Sequence, residues 1–127
     1  MSEENLSEYS ENIIKIANDL KHFGRMTDPT SSACVKGPCG DEIEFYLVIN
    51  DGIIEGVKFY TDGCIATKVC GSMTAHFAMG RTIEDALSIS PKQVMDSLEG
   101  LPKDRCHCSI LAVSALYRAI ADYLLKI

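Results

Sequence analysis

Six cysteines in 127 residues hold most of the reactive chemistry. Two residue types that also bind metals lie beside them: Asp41 follows Cys39 by two positions, and His107 immediately precedes Cys108. In a reducing cytosol a disulfide framework is the weaker explanation for so many thiols, so they point to metal or sulfur chemistry. Zinc ribbons and fingers need two close cysteine pairs, and the only close pair here is Cys106 and Cys108. Any site must therefore be assembled from distant segments. Thiolates are soft ligands suited to zinc and to iron-sulfur clusters, whereas a carboxylate is hard and holds these ions less firmly. Three thiolates completed by Asp41 would hold a cluster loosely. On local pattern Asp41 reads equally as a solvated acid that starts a strand. His107 reads equally as a satisfied core imidazole or as a neutral ligand at physiological pH.

The elements that must position these groups follow from periodicity. Leu6, Tyr9, Ile13, Ile16 and Leu20 form an apolar stripe at three- and four-residue spacing, which predicts a helix ending near Phe23-Gly24. Residues 25–41 lack periodicity and read as a loop carrying Cys34, Cys39 and Asp41. Ile43, Phe45, Leu47 and Ile49 alternate with more polar neighbours, the pattern of a strand with one buried face. Asp51-Gly52 suits a tight hairpin turn, and a second strand follows over 53–60 with Val57 and Phe59 facing in. Helical spacing returns after Cys64 through Ala66, Val69, Met73 and Phe77. Thr82 and Ser90 each stand three residues before an acid or amide, which predicts two short capped helices. A long terminal helix shows Ile110, Val113, Leu116 or Tyr117, Ile120 and Leu124 on one face. Cys64 and Cys108 thus sit at helix starts, where unpaired amides favour thiolate, and are expected to be the reactive pair.

Composition narrows the function further. A length of 127 residues at 46% hydrophobic content predicts one compact domain over 1–127. A formal charge of -6 argues against nucleic acid, whose binding depends on Lys and Arg neutralising phosphates. The acidic start of the chain does not read as a signal or transit peptide, and no apolar run suggests a membrane span, so a cytoplasmic location is expected.

Three separated segments then carry a family likeness: Gly37-Pro38-Cys39-Gly40-Asp41, Gly63-Cys64-Ile65-Ala66, and Leu101-Pro102 followed by His107-Cys108-Ser109-Ile110-Leu111-Ala112. The chain resembles the IscU-type scaffold, the domain also found at the N-terminus of NifU, from Tyr9 to its end. The resemblance implies an α+β fold of the SufE/NifU-like kind, with a small antiparallel sheet packed against several helices and a long C-terminal helix. It implies that Cys39, Asp41, Cys64, His107 and Cys108 are the metal and cluster positions. By the same resemblance Cys108 accepts persulfide sulfur from a cysteine desulfurase, and Asp41 is the carboxylate of iron entry and cluster release.

The implied function is assembly of a [2Fe-2S] cluster from iron and sulfur, with an electron donor such as ferredoxin, followed by transfer to recipient apoproteins. Zinc is expected in the cluster-free form. Binding by one chain or by a homodimer is left open, as is the choice between His107 and Asp41 in completing the ligand set. The alternative is a zinc-dependent sulfurtransferase that relays persulfide through Cys108. The short link between Cys64 and Cys108, and the presence of His107, separate the sequence from the SufU-type branch. Leu101-Pro102-Lys103-Asp104-Arg105 departs from the Leu-Pro-Pro-Val-Lys stretch by which bacterial members engage a DnaK-type chaperone, and that partnership is not carried over. Cys34, Cys70 and Cys106 are extra to the pattern. Cys70 and Cys106 read as small buried hydrophobes, while Cys34 has no assigned role.

Overall fold

A computed structural model describes residues 8–38, 40–99 and 101–126. In chain order the elements are α1 (Glu11–Asn18), β1 (Ser31–Lys36), β2 (Glu42–Asn50), β3 (Ile53–Tyr60), α2 (Ile65–Ala78), α3 (Ile83–Ala86), α4 (Pro91–Leu98) and α5 (His107–Lys126), with a 3-10 turn, Lys103–Arg105, before the last. The strands form one antiparallel sheet in the order β1-β2-β3, so the fold is α+β.

The alternation in β2 works as the sequence implies: Ile43, Phe45, Leu47 and Ile49 are buried, and the residues between them are not. Asp51 and Gly52 both adopt positive φ, which matches the right-handed twist of the hairpin they close. A bulge follows, since Val48 pairs with Gly56 but Ile49 pairs with Ile54. The extra residue, Glu55, shifts the side-chain parity and lets Ile54 face the core together with Val57 and Phe59. Helix α5 lies across β1 and β2, and α2 packs on β3 and against α5. Glycine 71 lets α2 come close: a Cβ there would stand 2.6 Å from the ring of Phe59.

The caps form as expected. The Thr82 hydroxyl accepts from the Asp85 amide, the Ser90 hydroxyl accepts from the Gln93 amide, and Pro91 opens α4. Three expectations need correction. Residues 25–41 are not a continuous loop, because Ser31–Lys36 pairs along β2 from Ser31 opposite Leu47 to Lys36 opposite Glu42; Cys34 is therefore an exposed strand residue. The first helix is shorter, ending at Asn18, and Leu6 lies outside the described residues. Ile110 and Leu124 of α5 are exposed, while the buried face is carried by Leu111, Ala112, Ala115, Leu116, Ala119 and Ile120. The alanines bring the helix axis close to the sheet.

By length and hydropathy alone, Lys103–Lys126 is apolar enough to cross a membrane, contrary to the reading of no such run. Half of that window is buried inside the fold, as suits a core helix.

Candidate metal and sulfur site

Strand, loop and helix ends converge at one edge of the molecule. Asp41 stands one residue before β2, where the Gly37 amide donates to its carbonyl at 2.8 Å and closes the β1–β2 connection. Cys64 is the N-cap of α2, reached from β3 through a turn in which the Gly63 amide donates to the Thr61 hydroxyl at 3.0 Å. Cys108 is the second residue of α5 and is fully buried, and His107 before it is half-buried.

A residue absent from the sequence reading joins these groups. The hydroxyl of Thr67, itself fully buried, donates to Asp41 Oδ2 at 2.7 Å. The same oxygen lies 3.4 Å from Cys108 Sγ and 3.5 Å from Cys64 Sγ. One hydroxyl proton cannot serve all three, and the short charge-assisted bond to the carboxylate is the strongest of them. The Cys64 amide donates to the same Asp41 oxygen at 3.4 Å. His107 Nε2 stands 3.8 Å from Cys108 Sγ. An apolar hollow of about 290 Å³, lined in part by Pro38, His107 and Ile110, opens beside the imidazole.

The two sulfurs divide one proton between them. The neighbouring Cys108 thiol draws the Cys64 thiol down to about 6 despite its burial, and the first-turn amide of α2 acts in the same direction. Cys64 makes no close capping bond, so that amide acts as nearby partial positive charge. Cys108 is pushed well above the ordinary thiol range, first by donating to Cys64 and then by burial. Within this pair the charge favours Cys64 and the proton Cys108.

Among the expected positions, the fold brings Asp41, Cys64, His107 and Cys108 together. Cys39 lies outside the described residues. Among the described residues no three His, Cys, Asp or Glu side chains are arranged as a closed metal cage. The donors meet through Thr67 instead, and the chemistry of the set, thiolate and thiol with a carboxylate and an imidazole, fits iron, zinc or sulfur-bound metal. Cys70 is fully buried within α2 and its thiol is pushed well above the ordinary range, mainly by burial, as suits a packing residue. Cys106 is half-buried, with its sulfur 3.6 Å from the Pro102 carbonyl.

Residues 8–127 match the family model described as NifU-like N terminal domain. The chain belongs to that family. An iron-sulfur cluster assembly scaffold protein IscU of Archaeoglobus fulgidus is 40% identical over 119 residues, covering 93% of this chain and 78% of the relative. The proteins of that name from Haemophilus influenzae and Escherichia coli are 36% and 34% identical, over 93% and 91% of this chain and 97% and 93% of their own lengths. These relatives are named as scaffolds, not for a reaction. In fold, solved structures superpose well: a NifU-like N-terminal protein from Brucella abortus gives a TM-score of 0.76 at 20% identity, covering 96% of this chain and 98% of its own. A SUF-system scaffold from Fervidobacterium islandicum gives 0.75 at 19%, covering 92% and 99%.

Proposed function

We propose that this protein is a scaffold on which a [2Fe-2S] cluster is assembled and from which it is passed to recipient apoproteins. The observation that carries the reading is the meeting of Asp41, Cys64 and Cys108, from three separate elements, around one buried hydroxyl, with His107 at the rim. Membership in a family whose relatives are named iron-sulfur cluster assembly scaffolds supports it.

Each side chain then has a task. The Cys64 thiolate is the anionic sulfur ready for a metal ion, and Cys39 and Cys108 complete the soft donors. Cys108 accepts the sulfane sulfur of a desulfurase persulfide: its S–H proton passes to the neighbouring Cys64 thiolate, its sulfur attacks the outer sulfur, and the desulfurase thiolate leaves. Because Cys108 is fully buried against Thr67, loading requires the site to open. Two successive one-electron transfers from a ferredoxin-type donor reduce each sulfane sulfur to sulfide. Asp41 admits iron and later yields its place to a recipient thiol, since a hard carboxylate exchanges more readily than thiolate. In the cluster-free form the same donors suit zinc. All of this fits the reducing cytosol, in keeping with the free thiols at Cys34, Cys64, Cys70, Cys106 and Cys108.

The test is a complete transfer cycle: desulfurase, cysteine, ferrous iron and reduced ferredoxin are supplied without oxygen, and an apo-ferredoxin is then added. The account expects the recipient to gain a cluster at the expense of this protein. Sulfur loaded on Cys108 that never becomes sulfide, with no cluster transferred, would favour persulfide relay instead.

A further inference from the structure

Resting on the scaffold reading above, we infer that Thr67 is a positioning residue of the site: its hydroxyl fixes the Asp41 carboxylate so that one oxygen is held by the protein and the other is presented to metal. Among the described residues the two donors to this carboxylate, the Thr67 hydroxyl at 2.7 Å and the Cys64 amide at 3.4 Å, both reach Oδ2. The carboxylate is thereby turned about a single anchored oxygen. A ligating carboxylate held in this way gains in orientation and affinity, and loss of such an outer partner ordinarily costs about 10–100-fold in metal binding.

The fold gives this role to Thr67 for identifiable reasons. Three residues after Cys64 in the first turn of α2, it shares the helix face of that sulfur. Its hydroxyl is fully buried and so has no competing water. Unlike Thr74, whose hydroxyl donates back to the Cys70 carbonyl at 2.7 Å within the helix, Thr67 turns away from its own backbone and toward Asp41, 26 positions earlier. Gly63 leaves room for this carboxylate, since a Cβ there would stand 2.6 Å from the same Oδ2. A side chain at position 63 would therefore displace the carboxylate that Thr67 holds.

The experiment measures cobalt(II) and zinc affinity of the reduced, cluster-free protein by chelator competition, with the sulfur-to-cobalt charge-transfer absorption reporting thiolate ligation. Thr67→Val, which keeps the shape and removes the hydroxyl, should weaken binding at least about tenfold. Thr67→Ser should restore most of it. In an Asp41→Ala background, Thr67→Val should add nothing, because its effect runs through that carboxylate. Thermal melts establish folding, and Thr67→Ala replaces Thr67→Val if the latter does not fold. Wild-type binding with the charge-transfer band, but equal affinity in Thr67→Val, would overturn the Thr67 assignment alone. The same follows if Thr67→Ser is as weak as Thr67→Val, or if the loss persists without Asp41, for then the residue only packs. A wild-type protein with no thiolate-ligated cobalt would overturn the metal-site reading beneath it.

Discussion

Replacing Cys108 with alanine removes the S–H that donates to Cys64, the largest influence holding that thiol near 6. What remains is burial and the nearby Asp41 charge, which both raise it, against the Thr67 groups, which lower it. Cys64 should then return to at least the ordinary thiol range, near 8.5. At pH 7 a group titrating at about 6 is roughly nine-tenths thiolate, and one at about 8.5 only about 3%. The thiolate population thus falls about thirtyfold. The direction is that of an acid stabilised in its charged form: the Cys64 thiolate is present above pH 6 and is lost as the pH falls through that value. Alkylation with iodoacetamide across pH 5–10, followed by peptide mass spectrometry to separate Cys64 from exposed Cys34, gives the midpoint at each cysteine. The midpoint is the quantity to read, because a thiolate of lower pKa is also a weaker nucleophile. A wild-type midpoint near 8.5, or one unmoved in Cys108→Ala, would refute the sharing of one proton between the two sulfurs.

Three further outcomes are expected. Cys108→Ser should abolish persulfide acceptance from the desulfurase, read as a gain of one sulfur by mass spectrometry, while Cys34→Ser, Cys70→Ser and Cys106→Ser retain most of it; equal loading of Cys108→Ser would move the acceptor to Cys39 or Cys64. Asp41→Ala should make a reconstituted cluster last severalfold longer during transfer to apo-ferredoxin, since the exchangeable ligand is gone, and faster loss than wild type would contradict its role in release. Gly71→Ala drives a Cβ to 2.6 Å from Phe59 Cδ2 and 3.0 Å from Ile43 Cδ1. Overpacking costs about 1–3 kcal/mol and the gain in helix propensity returns about 1, so urea denaturation should show a net loss of about 1 kcal/mol, and no loss would contradict the close packing of α2 on the sheet.

Local chemistry made much of this architecture legible. The β2–β3 hairpin follows from strict alternation and a turn whose two residues accept positive φ, and the caps at Thr82 and Ser90 depend only on neighbours three positions away. Strand β1 was not legible, because Ser31-Ser32-Ala33-Cys34 has no apolar alternation and is held in place by its ladder with β2. The face of α5 was misjudged at Ile110 for a related reason: large apolar residues mark a stripe, but here the alanines make the close contact.

At the site, Asp41, Cys64, His107 and Cys108 were named from residue type and family likeness. Thr67 was missed because a threonine in the first turn of a helix looks ordinary, although its three-residue offset from Cys64 was a usable signal. By position alone Cys64 and Cys108 are alike, each at a helix start. The fold separates them: Cys64 is favoured as thiolate and the buried Cys108 as thiol.

The most direct test of the scaffold account is the metal and sulfide content of the protein after anaerobic incubation with iron, cysteine, desulfurase and reductant. The account predicts iron and acid-labile sulfide in equal amounts with the visible absorption of a [2Fe-2S] cluster, both lost in Cys64→Ser. Persulfide on Cys108 with zinc retained, and neither iron nor acid-labile sulfide bound, would contradict it.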